Sequence, residues 1–214
     1  MNNDVPRRIT MFDRFPALST KRLQLREVTL QDMDAAAELY GNSVMMKTRP
    51  GPSKHMPIQA NKESREPRFQ EREAIAYRIQ EWFMTPYQEQ RGIRFGIYLN
   101  NSNRMIGSCG FSHWDKTHYK AELVYELHPE YRKRGFLKEA LGALINFGFN
   151  TMELNRIEAR IESSNQADQR MLLSLGFRHE GVEREAEFAD GKFIDIVWLS
   201  MLKSDGPPPV HLVK

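Results

Sequence analysis

The segment from Ala121 to Phe149 changes its hydrophobic period from two residues to about 3.6 across a short basic turn. Its first part alternates apolar and acidic residues and predicts a strand that ends before Pro129. The apolar members are Ala121, Leu123, Tyr125 and Leu127, and the acidic members are Glu122 and Glu126. Its last part, Gly135 to Phe149, keeps apolar residues on one face of a helix. The segment therefore predicts a strand, a basic turn and a helix in direct succession.

The rest of the chain predicts further strands and helices around this unit. The expected helices are Asp32–Tyr40, Ala74–Phe83 and Gln166–Leu175, the last capped by Asn165. The expected strands are Leu23–Arg26, Arg94–Leu99, Met105–Trp114, Arg156–Ile161, Gly181–Phe188 and Lys192–Met201. We expect Gly107 and Gly110 to break the third of the chain's strands and Asp190-Gly191 to form a hairpin. This order predicts a mixed α/β sheet with both antiparallel and parallel pairs.

A chain of 214 residues suits one well-packed domain, which we place at residues 18–203. Residues 1–17 are expected to form a loose arm, and residues 204–214, with three consecutive prolines, a disordered tail. The polar stretch Lys47–Arg72 carries four prolines and predicts a long irregular segment. Such a segment is either a functional loop or a surface loop, and the pattern does not choose between them.

Composition excludes several classes of protein. The formal net charge of +3 lacks the dense basic character of a nucleic-acid binder. A single cysteine, Cys109, rules out an intrachain disulfide, and no Cys/His cluster has zinc spacing. The N-terminus lacks the apolar core of a signal peptide, and no apolar run approaches membrane-spanning length. We expect a cytoplasmic protein without a metal and without a nucleic-acid or membrane partner.

The basic turn Arg132–Leu137 is a candidate anion site. A loop that enters a helix presents unpaired backbone N–H groups and the positive end of the helix dipole. Arg132, Lys133 and Arg134 add three cations, and Gly135 permits close approach of a ligand. These features suit a pyrophosphate. The alternative is a basic helix entry that binds nothing.

This turn resembles the cofactor loop of the GNAT acetyltransferases, Gln/Arg-x-x-Gly-x-Gly/Ala, with Leu137 at its last position. The surroundings resemble one branch, the ribosomal-protein N-terminal acetyltransferases. The supporting segments are Leu18–Arg26, Ala121–Leu127, Gly135–Ala140, Leu154–Ala159, Leu175–Phe177, Glu180-Gly181 and Gly191-Lys192. The resemblance runs from about Leu18 to Lys203 and is weakest between Lys47 and Arg94. Each motif alone is weak evidence for the family, but their order and spacing together support the resemblance.

The resemblance implies the GNAT fold, a central mixed, mostly antiparallel sheet flanked by helices. It implies direct transfer of an acetyl group from acetyl-CoA, a co-substrate, to a primary amine. The backbone of Tyr125, Glu126 and Leu127 would bind the pantetheine arm in a gap beside a neighbouring strand. The pyrophosphate would lie at Arg132, Lys133, Arg134, Gly135, Phe136, Leu137 and Lys138. Asn165 matches the family's asparagine that bonds the pantetheine arm, and it can also cap its helix.

A base must take a proton from the acceptor's ammonium group before the neutral amine can attack the thioester. Glu187 matches the glutamate given that role in the branch, and Glu122 is the reserve candidate. We expect Glu187 to share a strand face with Glu183 and Glu185, so a solvated acidic face is the competing interpretation. Asp168 stands where the branch has a serine that can reach the thiol, and we expect it to stabilise its helix. Ser112, His113 and Asp115 alternate on a strand and do not suggest a hydrolase triad.

The acceptor remains open on this pattern. A protein or peptide N-terminal α-amine titrates at about 7.7–8.0 and a lysine at about 10.4, so a single carboxylate suits the α-amine. The alternatives are a small amine, such as an antibiotic or polyamine, or a catalytically silent acyl-CoA-binding module. The chain is expected to act as a monomer or a homodimer.

Overall fold

The computed structural model describes residues 14–40, 67–100, 102, 104–189, 191–206 and 208. Within them the strands form one eight-stranded sheet in the order β1-β2-β3-β4-β5-β6-β8-β7. The strands are β1 (Leu18–Ser19), β2 (Leu23–Arg26), β3 (Ile93–Leu99), β4 (Met105–Asp115), β5 (Lys120–Leu127), β6 (Arg156–Glu162), β7 (Arg178–Ala189) and β8 (Lys192–Leu202). All pairs are antiparallel except β5 with β6, which confirms the predicted mixed sheet.

Helices cover both faces of this sheet. Those described are α1 (Met33–Tyr40), α2 (Pro67–Ile79), α3 (Thr85–Gln88), α4 (Phe136–Asn150) and α5 (Gln166–Ser174). A π-helical turn, Gln80–Met84, joins α2 to α3. Short 3-10 turns occur at Leu30–Asp32, Pro129–Tyr131 and Lys203–Asp205.

Two predictions about the bounds and continuity of these elements were wrong. Helix α2 begins at Pro67 rather than Ala74, because a proline in the first helical turn has a suitable φ and needs no hydrogen bond. The end of the Lys47–Arg72 stretch is therefore helical, and residues 47–66 lie outside the described residues.

Gly107 and Gly110 do not break β4. A Cβ there would lie 2.3 Å and 2.1 Å from a carbonyl oxygen of the adjacent strand, so glycine allows close strand approach.

The two ends of the predicted domain are partly described. Residues 1–13 lie outside the described part, but Phe15 is half-buried, with its ring centroid 4.7 Å from that of Tyr87 and 5.1 Å from that of Phe95. At the other end, Ser204 and Asp205 belong to a 3-10 turn, and Asp205 pairs with Arg178 at 2.7 Å. The loose arm expected at residues 1–17 and the disordered tail expected at residues 204–214 stay predictions for the residues outside the described part.

The sheet has one apolar face in a large core and another that is more polar. The apolar face packs against α4 and α5. Leu141 and Leu144 of α4 belong to this core, and both are fully buried. Leu123 and Tyr125 of β5 and Ala159 of β6 point into this core. A smaller core on the opposite face joins α1 and α2 to the sheet. The alternation predicted for β5 is thus confirmed, with Glu122 and Glu126 on the second face.

Strands β5 and β6 separate soon after they meet. Their parallel pairing covers Lys120, Ala121 and Glu122 of β5 against Arg156 to Glu158 of β6. Beyond Glu122, β5 stays paired with β4, and β6 stays paired with β8 along its whole length. Between them, the rest of β5 has no strand partner on its β6 side in the described structure.

Some features bear on the function classes considered above. Among the described helices, none is long and apolar enough to cross a membrane. In the same residues, no three His, Cys, Asp or Glu side chains gather as a metal site would require. Cys109 is free and buried, and burial raises the pKa of its thiol.

Candidate active site

The basic turn enters α4 through backbone conformations that expose its amides. Gly135 is the N-cap residue with φ 77°, and no side chain caps the helix. The amides of residues 136 to 138 consequently lack the intrahelical partners that later residues have. Lys133 also has a positive φ of 59°, and residues 132 to 135 are exposed. The turn therefore presents free N–H groups, the helix dipole and three cations at one point.

Aromatic rings and the core hold the side chains around this turn. The Arg134 guanidinium lies 5.0 Å from the ring centroid of Phe136 and 5.7 Å from that of Tyr131, both buried. Leu137 is half-buried and packs against the main core. The leucine at the last loop position is therefore accommodated by the core.

The unpaired edge of β5 carries Tyr125, Glu126 and Leu127, the three residues expected to bind the pantetheine arm through their backbone. All three are buried. Buried backbone N–H and C=O groups without a strand partner need another partner, and an extended ligand can supply it. The Leu127 carbonyl has one already, since Arg132 Nε donates to it at 3.3 Å.

The Glu126 side chain turns away from the gap into a buried polar cluster. Its Oε1 accepts hydrogen bonds from Tyr40 Oη at 2.5 Å, Ser108 Oγ at 2.7 Å and Arg94 Nη2 at 2.7 Å. Burial, with the negative charge of Glu126, raises the pKa of the Tyr40 phenol, which stays protonated as a donor. This cluster joins α1, β3, β4 and β5, a side-chain role that the sequence did not reveal.

On the opposite face of β5, the Tyr125 hydroxyl points into the region beside α5. It is buried and makes no hydrogen bond of normal geometry in the described residues. Burial raises the pKa of this phenol, and the nearby charge of Asp168 raises it further. Asn165 caps α5 as predicted, with its Oδ1 accepting from the Asp168 amide at 3.2 Å and its Nδ2 donating to Asp168 Oδ2 at 2.9 Å. Asp168 thus acts in the helix cap and also lies close to the Tyr125 hydroxyl.

Glu122 occupies the last paired position of β5 before the strands separate. Its side chain is 14% exposed, and its Oε2 lies 3.2 Å from His113 Nδ1. Burial raises the pKa of Glu122, while His113 and Arg160 act to lower it. The repulsion from Glu158 adds to the rise. A carboxylate of raised pKa at the mouth of a gap has the properties of a general base.

The contact between His113 and Glu122 was not predicted from the sequence. A register irregularity separates Ser112 from Asp115 in β4, and His113 within it has φ 48°. Strand bulges re-aim side chains, and here His113 reaches both Glu122 and Ser112 Oγ, the latter at 3.3 Å. Asp115 instead pairs with His118, so the three residues form no triad. The irregular pairing leaves no signal in the local sequence.

Glu187 lies on β7 near Arg160 of β6. Its Oε1 is 3.4 Å from Arg160 Nη1, and Arg160 Nη2 is 3.4 Å from Glu183 Oε2. The Arg160 guanidinium also lies 5.2 Å from the ring centroid of Trp198. An irregularity in β7 between Glu183 and Glu187, with Glu185 at φ 53°, interrupts the alternation that was expected to align all three glutamates. Arg160 therefore connects Glu187 electrostatically with the region of Glu122.

Residues 22–178 match the family model described as "Acetyltransferase (GNAT) domain". The chain belongs to the GNAT acetyltransferase family. It is 34% identical over 189 residues to the uncharacterised N-acetyltransferase YoaA of Bacillus subtilis, covering 88% of this chain and 98% of the relative. It is 28% identical over 115 residues to the [ribosomal protein uS5]-alanine N-acetyltransferase of Escherichia coli, covering 53% of this chain and 59% of the relative.

A solved structure supports the fold. The ribosomal-protein-S5-alanine acetyltransferase from Vibrio fischeri superposes with a TM-score of 0.71 at 19% identity, covering 89% of this chain and 98% of the other. The GNAT fold expected from the motifs is confirmed, and the protein is an acetyl-CoA-dependent N-acetyltransferase. The ribosomal-protein branch is represented among its relatives.

Replacing Gly135 with alanine tests the geometry of the helix entry. The left-handed conformation at φ 77° disfavours a side chain by about 1–2 kcal/mol, which lowers stability and shifts the amides of residues 136 to 138. We expect a fall of roughly 2–8 °C in melting temperature and weaker coenzyme A binding. Gly181→Ala is the matched control, because Gly181 has no positive φ and a Cβ there would meet no atom within 4 Å. Equal behaviour of the two variants would contradict a required left-handed glycine at the turn.

Proposed function

We propose that this enzyme acetylates the N-terminal α-amine of a protein or peptide, with Glu122 as the general base. The observation that carries the proposal is the position of Glu122: its largely buried carboxylate lies at the last paired residue before β5 and β6 separate. The other proposed parts are the turn Arg132–Lys138, the unpaired edge of β5 and Asn165.

The proposed cofactor residues fit coenzyme A on three grounds. The uncapped amides at residues 136 to 138 and the three cations suit the pyrophosphate. The β6 side of Tyr125 to Leu127, which has no strand partner, suits an extended arm with amide groups. The buried Tyr125 hydroxyl lies near Asp168 but makes no hydrogen bond of normal geometry, so a ligand group that accepts a well-aligned hydrogen bond from it would stabilise the complex. Acetyl-CoA, when bound, supplies the acetyl group as a thioester.

Glu122 would take the proton that the acceptor ammonium must lose. Its carboxylate is mostly shielded from water, which raises its affinity for a proton. The imidazole of His113 is 59% exposed and contacts Glu122 at 3.2 Å, so it offers a way for that proton to reach solvent. Glu122, His113 and Arg160 form a connected set of titratable and charged groups on the second face of the sheet.

Glu187 would orient the acceptor rather than take its proton. It is 40% exposed and lies beside Arg160, which partly neutralises it. The family resemblance indicated Glu187 as the base with Glu122 in reserve, and the burial of Glu122 supports the reverse order. An exposed carboxylate at the edge of the site can still attract an ammonium group.

An α-amine is the proposed acceptor because its proton is easily removed. A free α-amino group has a pKa of about 7.7–8.0, whereas a lysine has one of about 10.4, so a single carboxylate has the smaller task with the α-amine. The similarity to an enzyme named for acetylating an alanine of ribosomal protein uS5 supports the same choice.

Paired substitutions distinguish the two candidate bases. General-base catalysis contributes about 10²–10⁴-fold, so Glu122→Gln should lower kcat by that order, while Glu187→Gln should chiefly raise the KM of the acceptor. Glu153→Gln, an exposed carboxylate just after α4, is the matched control and should behave as wild type. A large loss of kcat in Glu187→Gln with little change in Glu122→Gln would return the role to Glu187.

The pH dependence gives a second readout for the same variants. Because burial raises the pKa of Glu122, wild-type kcat should begin to fall at a pH above the ordinary glutamate value of 4.5 as the pH is lowered, since the protonated acid cannot act as a base. Glu122→Gln should lose this acidic limb. A pH profile that keeps the limb in Glu122→Gln would show that another group titrates there.

The acceptor preference can be measured on matched peptides. One peptide carries only a free N-terminus, a second carries only a free lysine, and a polyamine serves as the third acceptor. We expect the highest kcat/KM for the first near neutral pH, because a useful fraction of its amine is already unprotonated. Faster acetylation of the lysine peptide or the polyamine would overturn the proposed acceptor and leave the family unchanged.

A further inference from the structure

The corner between β1 and β2 is hydrogen-bonded to the first turns of α4. Arg22 Nε donates to Glu139 Oε2 at 2.6 Å, and the Arg22 amide donates to Glu139 Oε1 at 2.9 Å. Thr20 Oγ1 donates to the same Oε1 at 2.6 Å. The Glu139 side chain is 12% exposed, so three donors surround a largely buried carboxylate. Burial alone would raise the pKa of Glu139, but the bonds from Thr20 and Arg22 outweigh it and keep this pKa below its usual range.

The same arginine also holds the turn that precedes the helix. Arg22 Nη1 donates to the carbonyl oxygen of Arg134 at 3.1 Å. Its guanidinium carbon lies 4.4 Å from the ring centroid of Phe136. Arg134 and Phe136 flank Gly135 directly, so both contacts act on the residue where the chain enters α4.

The turn Arg132–Gly135 makes few stabilising contacts through its own residues, so contacts from Arg22 can fix its conformation. Residues 132 to 135 are exposed, two of them have positive φ, and no side chain caps the helix. An uncapped, exposed turn loses conformational entropy when a ligand fixes it, and a contact that fixes it beforehand reduces that cost.

We propose that Thr20, Arg22 and Glu139 form a clamp that positions the turn Arg132–Gly135 for the pyrophosphate of coenzyme A. Arg22 is a positioning residue in this proposal, since it acts through the carbonyl of Arg134 and the ring of Phe136. The inference rests on the proposed cofactor site at this turn. It also gives a physical reason for two of the segments that carry the family resemblance, Leu18–Arg26 and Gly135–Ala140, which meet at this clamp.

Substitutions on both sides of the clamp test the proposal. Arg22→Met keeps the apolar stem and removes every donor, and Glu139→Gln keeps the shape and removes the charge. Charge-assisted hydrogen bonds of this kind correspond to about 10-fold or more in affinity, so the Kd of coenzyme A by calorimetry and the KM of acetyl-CoA should both rise about 10-fold in Arg22→Met. Glu139→Gln should give a smaller rise of the same kind, and Arg22→Lys an intermediate one. The KM of the acceptor should stay within about twofold in all three, which a general loss of structure would not produce.

Two further variants separate the outcomes. Lys21→Met is the matched control, because Lys21 is an exposed cation next to Arg22 whose side chain has no part in the clamp. Arg134→Glu tests the cofactor site itself, and unchanged coenzyme A binding there would refute the proposed site. If Arg134→Glu weakens binding but Arg22→Met does not, the clamp proposal is wrong and the cofactor site stands. Weak binding in Arg22→Met with wild-type binding in Glu139→Gln would make Arg22 a direct phosphate ligand and would also overturn the clamp.

Discussion

The separation of β5 from β6 after three paired residues is the constraint on which the site depends. Each strand is held firmly on its far side, β5 by β4 and β6, along its whole length, by β8. Because neither strand can move toward the other without breaking these ladders, the backbone of β5 past Glu122 keeps an unpaired edge inside the protein. An unpaired buried edge is unfavourable by itself, and a bound ligand with amide groups satisfies it. The gap therefore has the unpaired backbone that the proposed pantetheine site requires.

Side chains on the two faces of β5 fix the strand beside that gap. On one face Tyr125 joins the main core, and on the other Glu126 accepts three hydrogen bonds from Tyr40, Ser108 and Arg94. A buried carboxylate is tolerated only where it is paired and fully hydrogen-bonded, so the cluster defines one position of α1 against β5. The turn into α4 is fixed in a similar way from the β1–β2 corner. The chemistry is therefore supported by polar contacts that join segments distant in sequence.

Much of this arrangement follows from local sequence. The alternation of β5, the helix after Gly135 and the cap by Asn165 depend on neighbouring residues, so their patterns predict them. The remaining features arise from tertiary contacts. The length of the β5–β6 pairing depends on how other strands hold each partner, and the approach of His113 to Glu122 depends on a bulge without a sequence signature. The contact of Arg160 on β6 with Glu187 on β7 likewise spans the intervening strand β8.

The central claim is that the gap beside β5 receives coenzyme A. A crystal structure of the protein with coenzyme A tests it most directly. The account predicts the pyrophosphate on the amides at the start of α4, the pantetheine arm between β5 and β6, and a β5–β6 pairing that still ends at Glu122. Coenzyme A bound elsewhere on the protein, or β5 and β6 paired along their full length in that complex, would contradict it.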